Sequence, residues 1–278
     1  MANQSPPIRP ITVGVDFGQT YTVIVWSNQS NTSSTKSIQE WPGLPPDSVE
    51  TKVPTKLAYS RNPNDRHEPV WGFSCDPDDG YHEVTEVREH FRIYLDQRSL
   101  DLARKGGVRN MSETVGEAKD LMTDYLRQIY KHVELCKEVI TGTWKEKIEF
   151  VFSLPTKWNT LDTVNRFNDA IYAVGFTSQN SDKHSAKLEL TEAEAAAVYS
   201  ATNSEIELDK GDNILIYDAD GGKTDLGLVE VADPNPERPA LKQVTKVQGF
   251  GTGSTMIDQA FELLVQERLD THSDKELL

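Results

Sequence analysis

The sequence predicts an α/β fold of two lobes built on related hairpins. An apolar segment ending in an acid, then a tight turn with Gly and Thr, then a second apolar segment occurs twice. The copies are VGVDFGQTYTVIVW near the start and LIYDADGGKTDLGLVEV, whose acids Asp16 and Asp218 lie 202 residues apart. Segments of strand period also alternate with segments of helical period along most of the chain. The length of 278 residues has room for one large domain or two lobes.

The elements follow in order. Ile11 to Asp16 and Tyr21 to Trp26 are β-rich and flank a turn holding Gly18, which is a hairpin. Residues 27–47, rich in Ser and Thr, form a loop. Short strands are expected over 53–59 and 69–73. Val84, Val87, Phe91 and Leu95 at helical spacing predict a helix over 83–97, and the polar run with Gly106 and Gly107 predicts a loop over 98–110. From Ser112, apolar residues recur every three or four positions, giving a long amphipathic helix to about Ile140. Ile148, Phe150, Phe152 and Leu154 alternate as in a strand, which Pro155 ends. A helix over 161–174 stops at Gly175. A short strand over 188–190 precedes an Ala-rich helix over 192–201. Strands over 214–217 and 225–231 flank the turn 218–224, and a third over 241–247 leads through Gly249, Gly251 and Gly253 into a helix over 254–269.

Composition excludes some functions. The net charge of −15 argues against binding nucleic acid or an anionic membrane, since either needs Lys and Arg to neutralise phosphates. The two cysteines, Cys75 and Cys136, form no Cys-x-x-Cys or Cys/His array, so neither a disulfide scaffold nor a zinc site is expected. No signal-peptide core or membrane-length apolar run is legible, and the expected location is the cytoplasm. The glycosylation-type triplets at Asn28, Asn31 and Asn110 then read as chance matches.

A carboxylate at a strand end beside a Gly turn has a chemical logic. Gly18, or Gly221 and Gly222, lets backbone N–H groups approach phosphate oxygens, while the carboxylate holds Mg²⁺ or its waters. Thr20 and Thr224 add hydroxyls. One such turn alone is an ordinary hairpin, because Asp and Gly are common turn residues; the second copy favours the ligand reading.

The chain resembles the ATPase domain of the heat shock protein 70, or DnaK-type, chaperones, which has the actin-like ATPase (ribonuclease H-like) fold. DFGQTY, EFVFSLPTKW, LTEAEAAAVYSA and LIYDADGGKTDLGLVEV carry the resemblance, which covers about residues 11–270. It implies a first lobe over 11–186 and the start of a second, truncated lobe over 187–278. It implies ATP or ADP with Mg²⁺, a co-chaperone or other protein partner, and no nucleic acid or membrane. Carried over by position, Asp16 holds Mg²⁺ through water. Gly18, Gln19, Thr20 and Tyr21 contact the β- and γ-phosphates, and Glu192 positions the attacking water or the metal shell. Asp218 is the second-lobe carboxylate and metal residue, with Gly221, Gly222, Lys223 and Thr224 toward the phosphates and Asp225 behind them. Pro155 matches the family's switch proline. Arg92 falls where the family has its catalytic lysine, although a guanidinium is not the geometric equivalent of an ammonium.

Each assignment has a plainer counterpart. Glu192 is otherwise an acid favoured by a helix N-terminus, Arg92 a solvated helix residue, and Tyr21 and Trp26 packing residues; GFGTG reads either as a phosphate loop at a helix N-terminus or as a strand-to-helix turn. The sequence also departs from the family at Gln19, where Thr is usual, at Asp220, where Gly is, and at Lys223, where Thr is. Asp220 brings a carboxylate to an anionic ligand, and Lys223 offsets it; fast hydrolysis is then in doubt. Two functions follow: an ATP-binding ATPase module, or an interaction protein that keeps the fold without turnover. A sugar or acyl kinase of the same superfamily fits the hairpins, but no sugar-binding signature accompanies them.

Overall fold

Strict alternation of Ile11, Val13, Val15 and Phe17 with smaller or polar residues makes β1 (Ile11–Phe17) a strand with one buried face. It pairs antiparallel with β2 (Tyr21–Ser27), Phe17 opposite Thr22. The outer side of β2 takes β3 (Lys36–Ser37) and β4 (Lys52–Pro54). A separate three-stranded sheet follows, with β5 (Lys56–Ser60) between β6 (Val70–Trp71) and β7 (Thr85–Glu89). The structure, a computed structural model, describes residues 10–27, 35–62, 64, 67–75, 85–105, 111–136, 147–156, 158, 160–178, 182–203, 206–235, 239–250 and 253–272. The expected turns at Gly106, Gly107 and Gly251, and the triplets at Asn28, Asn31 and Asn110, lie outside these residues.

Beyond β7 come α1 (Gln97–Lys105), α2 (Val115–Leu135), β8 (Ile148–Leu154), α3 (Leu161–Val174) and β9 (His184–Thr191). Parallel pairing of β8 with β1, and β9 on its far side, completes a six-stranded sheet. Helices α2 and α3 lay their apolar stripes on it: Met122, Tyr125, Ile129, Phe167 and Ile171 join Val13, Val15, Phe150 and Phe152 in one core. Phe17 sits at its centre, its ring 5.7 Å from Tyr125 and 6.0 Å from Phe167, both stacked. The buried Tyr125 hydroxyl donates to the Pro54 carbonyl, which removes the cost of burying it.

Two sequence expectations fail between 85 and 105. Over the described part of the helix expected at 83–97, from Thr85 on, the chain forms β7, then a short 3₁₀ helix over Phe91–Leu95. TEVRE finds a partner strand in β5, and His90, at φ 59°, breaks the continuity. Phe91 and Leu95 are both fully buried on the 3₁₀ helix, so their spacing imitates an α-helical face. The expected loop then opens as α1: the Asp96 carboxylate accepts from the Ser99 N–H, and Leu100 docks into the interior.

The second unit builds on β10 (Asn213–Ala219) and β11 (Thr224–Asp233), antiparallel with Asp218 opposite Asp225. The single third strand expected over 241–247 is two strands, β12 (Ala240–Gln243) and β13 (Gln248–Phe250), each pairing with a different end of β11. Helix α4 (Glu192–Asn203) packs on this sheet through Ala193 and Ala197, which meet Ile216 and Val229. Leu215 and Tyr217, on the other face of β10, are exposed, as are Ile257 and Phe261 of α5 (Thr255–His272). The chain divides into Met1–Leu154 with Trp158–Leu190, and Pro155–Lys157 with Thr191–Leu278. No helix among the described residues is long and apolar enough to cross a membrane.

Candidate functional site

In the second unit the turn between β10 and β11 folds around its own charges. Asp220 Oδ1 accepts from the backbone N–H groups of Gly222 (2.7 Å) and Lys223 (2.8 Å), an Asx turn that fixes the loop. The Asp220 N–H donates to the Lys223 carbonyl. Behind the turn, β11 buries Asp225 completely, and the Lys223 side chain reaches back over it. Its Nζ lies 2.5 Å from Asp225 Oδ2 and in closer contact with Glu192 Oε2, with Asp220 at 3.9 Å and Asp218 at 4.0 Å. One ammonium thus faces four carboxylates.

Helix α4 delivers Glu192 without needing it as a cap. Thr191 and Glu194 form the reciprocal box: the Thr191 hydroxyl accepts from the Glu194 N–H, and the Glu194 carboxylate accepts from the Thr191 N–H. Glu192 is therefore left to meet Lys223. Burial alone would lower the Lys223 pKa, but the Glu192 and Asp225 carboxylates hold it above its ordinary 10.5, so it stays charged. Burial pushes the Asp218 carboxyl above its ordinary 3.8; Lys223 pulls the other way, and the neighbouring acids reinforce the rise.

Gly253, which closes the GFGTG segment, and the two residues after it also have partners. A Cβ on Gly253 would stand 2.4 Å from the Gly221 carbonyl oxygen, so only Gly allows this approach. The N–H groups of Ser254 and Thr255, and the Thr255 hydroxyl, donate to the Asp220 and Gly221 carbonyls. The start of α5 is thereby pinned to the turn.

The first unit's turn is built differently. Gly18 is required because a Cβ there would lie 2.2 Å from the Tyr21 carbonyl oxygen. Thr55 ties the loop from behind: its N–H donates to the Thr20 carbonyl and its hydroxyl to the Gly18 carbonyl. Asp16, exposed at the strand end, accepts from the Ser153 hydroxyl at 3.1 Å. Gln19 lies in the same bend, and Tyr21 carries the Lys52 ammonium 4.3 Å from its ring. Arg92 is not the solvated helix residue of the plainer reading. It is 4% exposed, with its guanidinium 5.7 Å from the Phe17 ring and 5.6 Å from that of Trp158.

No family model matches the chain, and no curated protein does. Among solved structures it is similar to a MamK double helical filament, with a TM-score of 0.52 and 13% identity, over 96% of this chain and 61% of that one. The fold is that of the actin-like ATPases. The chain spans less than two thirds of the filament protein's length.

An actin-like ATPase fold generally takes nucleotide with Mg²⁺, so the fit of the second unit's residues to a divalent ion can be tested. Glu192, Asp218 and Asp225 each present an oxygen, all within 4.8 Å of one another, a spacing that suits a cation. The Lys223 ammonium already stands there. A divalent ion about 4 Å from it would meet a repulsion of roughly 8 kcal/mol at an effective dielectric of 20. The residues as arranged do not fit the metal.

The residues singled out in the sequence thus fall into two groups. Asp218, Asp220, Gly221, Gly222, Lys223, Asp225 and Glu192 gather at one turn, while Asp16, Gly18, Gln19, Thr20 and Tyr21 shape the other, with Arg92 against the neighbouring Phe17. Thr55, Ser153 and Thr255 carry no signal in the sequence. Single Ser and Thr residues distant in sequence carry no motif, and only folding brings them to the turns.

Proposed function

We propose that the chain is a nucleotide-binding module of the actin-like class, of the heat shock protein 70 type, with nucleotide phosphates held at the hairpin turns. The observation that carries this reading is the paired hairpin grammar within an actin-like fold: Asp16 at the end of β1 with Gly18 beyond it, and Asp218 at the end of β10 with Gly221 and Gly222 beyond it. Asp16 is then the first unit's carboxylate toward the phosphates, Asp218 and Glu192 are the second unit's, and Arg92 is a cation behind the first turn. Gln19, Thr20, Tyr21 and Thr224 line the turns. A lobe assignment of 11–186 and 187–278, and a protein partner coupled to the nucleotide state, belong to the same proposal. Isothermal titration of the full chain with ATP and with ADP tests it. Saturable heat that weakens in Asp16→Ala supports the reading, and no binding at millimolar nucleotide overturns it.

A second reading has its own support. With Asp220 on the turn's N–H groups and Lys223 among the carboxylates, the second unit is arranged for an interaction protein that keeps the fold without turnover. Phosphate release above background that vanishes in both Asp16→Ala and Asp218→Ala would defeat it.

A further inference from the structure

We infer that Lys223 is a tethered cation that takes the seat of a divalent metal ion among Glu192, Asp218 and Asp225, so that this cluster binds a divalent ion only when the lysine is removed. The inference deepens the second reading and rests on it for its bearing on turnover, but not for its chemistry.

The donor set is that of a hard-cation site. Three carboxylates from separate stretches, the first turn of α4, the end of β10 and the start of β11, converge within 4.8 Å. Such oxygens suit Mg²⁺, Mn²⁺ or Ca²⁺. Acids are brought together and buried at this density only with a positive partner. Here the partner is covalent: the Lys223 ammonium contacts Glu192 and Asp225 and lies 4.0 Å from Asp218. A point charge on a flexible stem is what such a seat requires.

A second observation points to a ligand position that the lysine does not complete. Asp225 is 0% exposed, and its Oδ1 has no hydrogen-bond partner among the described residues, although its Oδ2 is taken by Lys223. A buried carboxylate oxygen without a donor is costly, and a metal ion would satisfy both oxygens. Asp220 completes the self-occupation. Its carboxylate sits on the Gly222 and Lys223 N–H groups, donors that an anionic ligand of a bound metal would otherwise take. Cation and anion are thus both supplied from residues 220 and 223 of the same turn.

The test is a Mn²⁺ titration of the full chain without nucleotide, following free Mn²⁺ by electron paramagnetic resonance. It uses wild type, Asp225→Asn, Lys223→Ala and the double variant, with circular dichroism to confirm folding. The expected result is one saturable site in Lys223→Ala, at least about tenfold tighter than any in wild type. That site should vanish in the double variant, and wild type and Asp225→Asn should give the same weak isotherm. Saturable binding in wild type that Asp225→Asn removes would overturn the inference, as would a folded Lys223→Ala that binds no better than wild type. If Lys223→Ala does not fold, Lys223→Gln, which keeps most of the stem without the charge, replaces it. If that also fails, the comparison of wild type with Asp225→Asn decides by the same criterion. Since no nucleotide is present, failure of nucleotide binding and failure of this inference are read separately.

Discussion

The two hairpins share a sequence grammar and are stabilised by opposite means. Behind Asp16 the strand ends in Phe17, buried among Phe91, Tyr125 and Phe167, with two helices laid across the sheet. Behind Asp218 the core is thin. Among the described residues Ala193, Ala197, Ile216 and Val229 form its buried cluster, and the turn is held by Lys223 among acids and by Asp220 on backbone N–H groups. The first hairpin places its acid at the exposed strand end, where it accepts from the Ser153 hydroxyl, whereas the second sets its acids around the Lys223 ammonium. Apolar packing thus carries the first turn, whereas internal ion pairs carry the second.

The strongest test of that contrast is to remove the apolar support. Phe17→Ala should cost about 3–5 kcal/mol, read from chemical unfolding, because a fully buried ring in a closely packed aromatic cluster leaves a cavity. A loss under about 1 kcal/mol would show that the first hairpin does not depend on its core.

Next in size is the ionic support. Lys223→Ala should destabilise by about 3 kcal/mol, since the fully buried Asp225 would keep its charge without its ammonium and Glu192 would lose the same contact. Adding Asp225→Ala should recover at least about 1 kcal/mol of that loss, because the removed acid no longer needs the ammonium. Strict additivity in this double-mutant cycle would mean that the two side chains are not coupled.

The smallest effect is a pH dependence peculiar to the second hairpin. Burial raises the Asp218 pKa above 3.8, so the folded state binds its proton more tightly than the unfolded chain does. This contribution is fully present below pH 3.8 and is lost as the pH rises through the folded value. Asp218→Asn carries no such proton, so its stability relative to wild type should rise across that window. A constant difference between the two, measured by unfolding across the acid range, would contradict the raised value.

Much of the fold was legible because its longer elements satisfy a single period. Residues 115–135 and 161–174 keep one apolar stripe, and 11–17 and 148–154 alternate strictly. Between 85 and 105 the reading fails because Phe91 and Leu95 are buried from a 3₁₀ turn, and because TEVRE is a strand only by virtue of its pairing with β5. The site was legible as residue types: Asp16, Asp218 and Glu192 stood out from the hairpins and the Ala-rich helix. The roles of Asp220 and Lys223 were only half legible. Their mutual offset was foreseen, but the seat of the ammonium between Glu192 and Asp225 was not, because Glu192 lies 31 residues upstream.

The sequence by itself determined the two Asp hairpins, the long helices and the acidic balance, since these depend on local period, turn chemistry and composition. Only the tertiary structure decided where the charges go. It buried Arg92 between two aromatic rings, turned Asp220 back onto its own loop, and set the Lys223 ammonium where a metal ion would stand. The physical reason is range: periodicity acts over a few residues, whereas the balance of a buried charge depends on every oxygen that folding brings within a few ångströms of it.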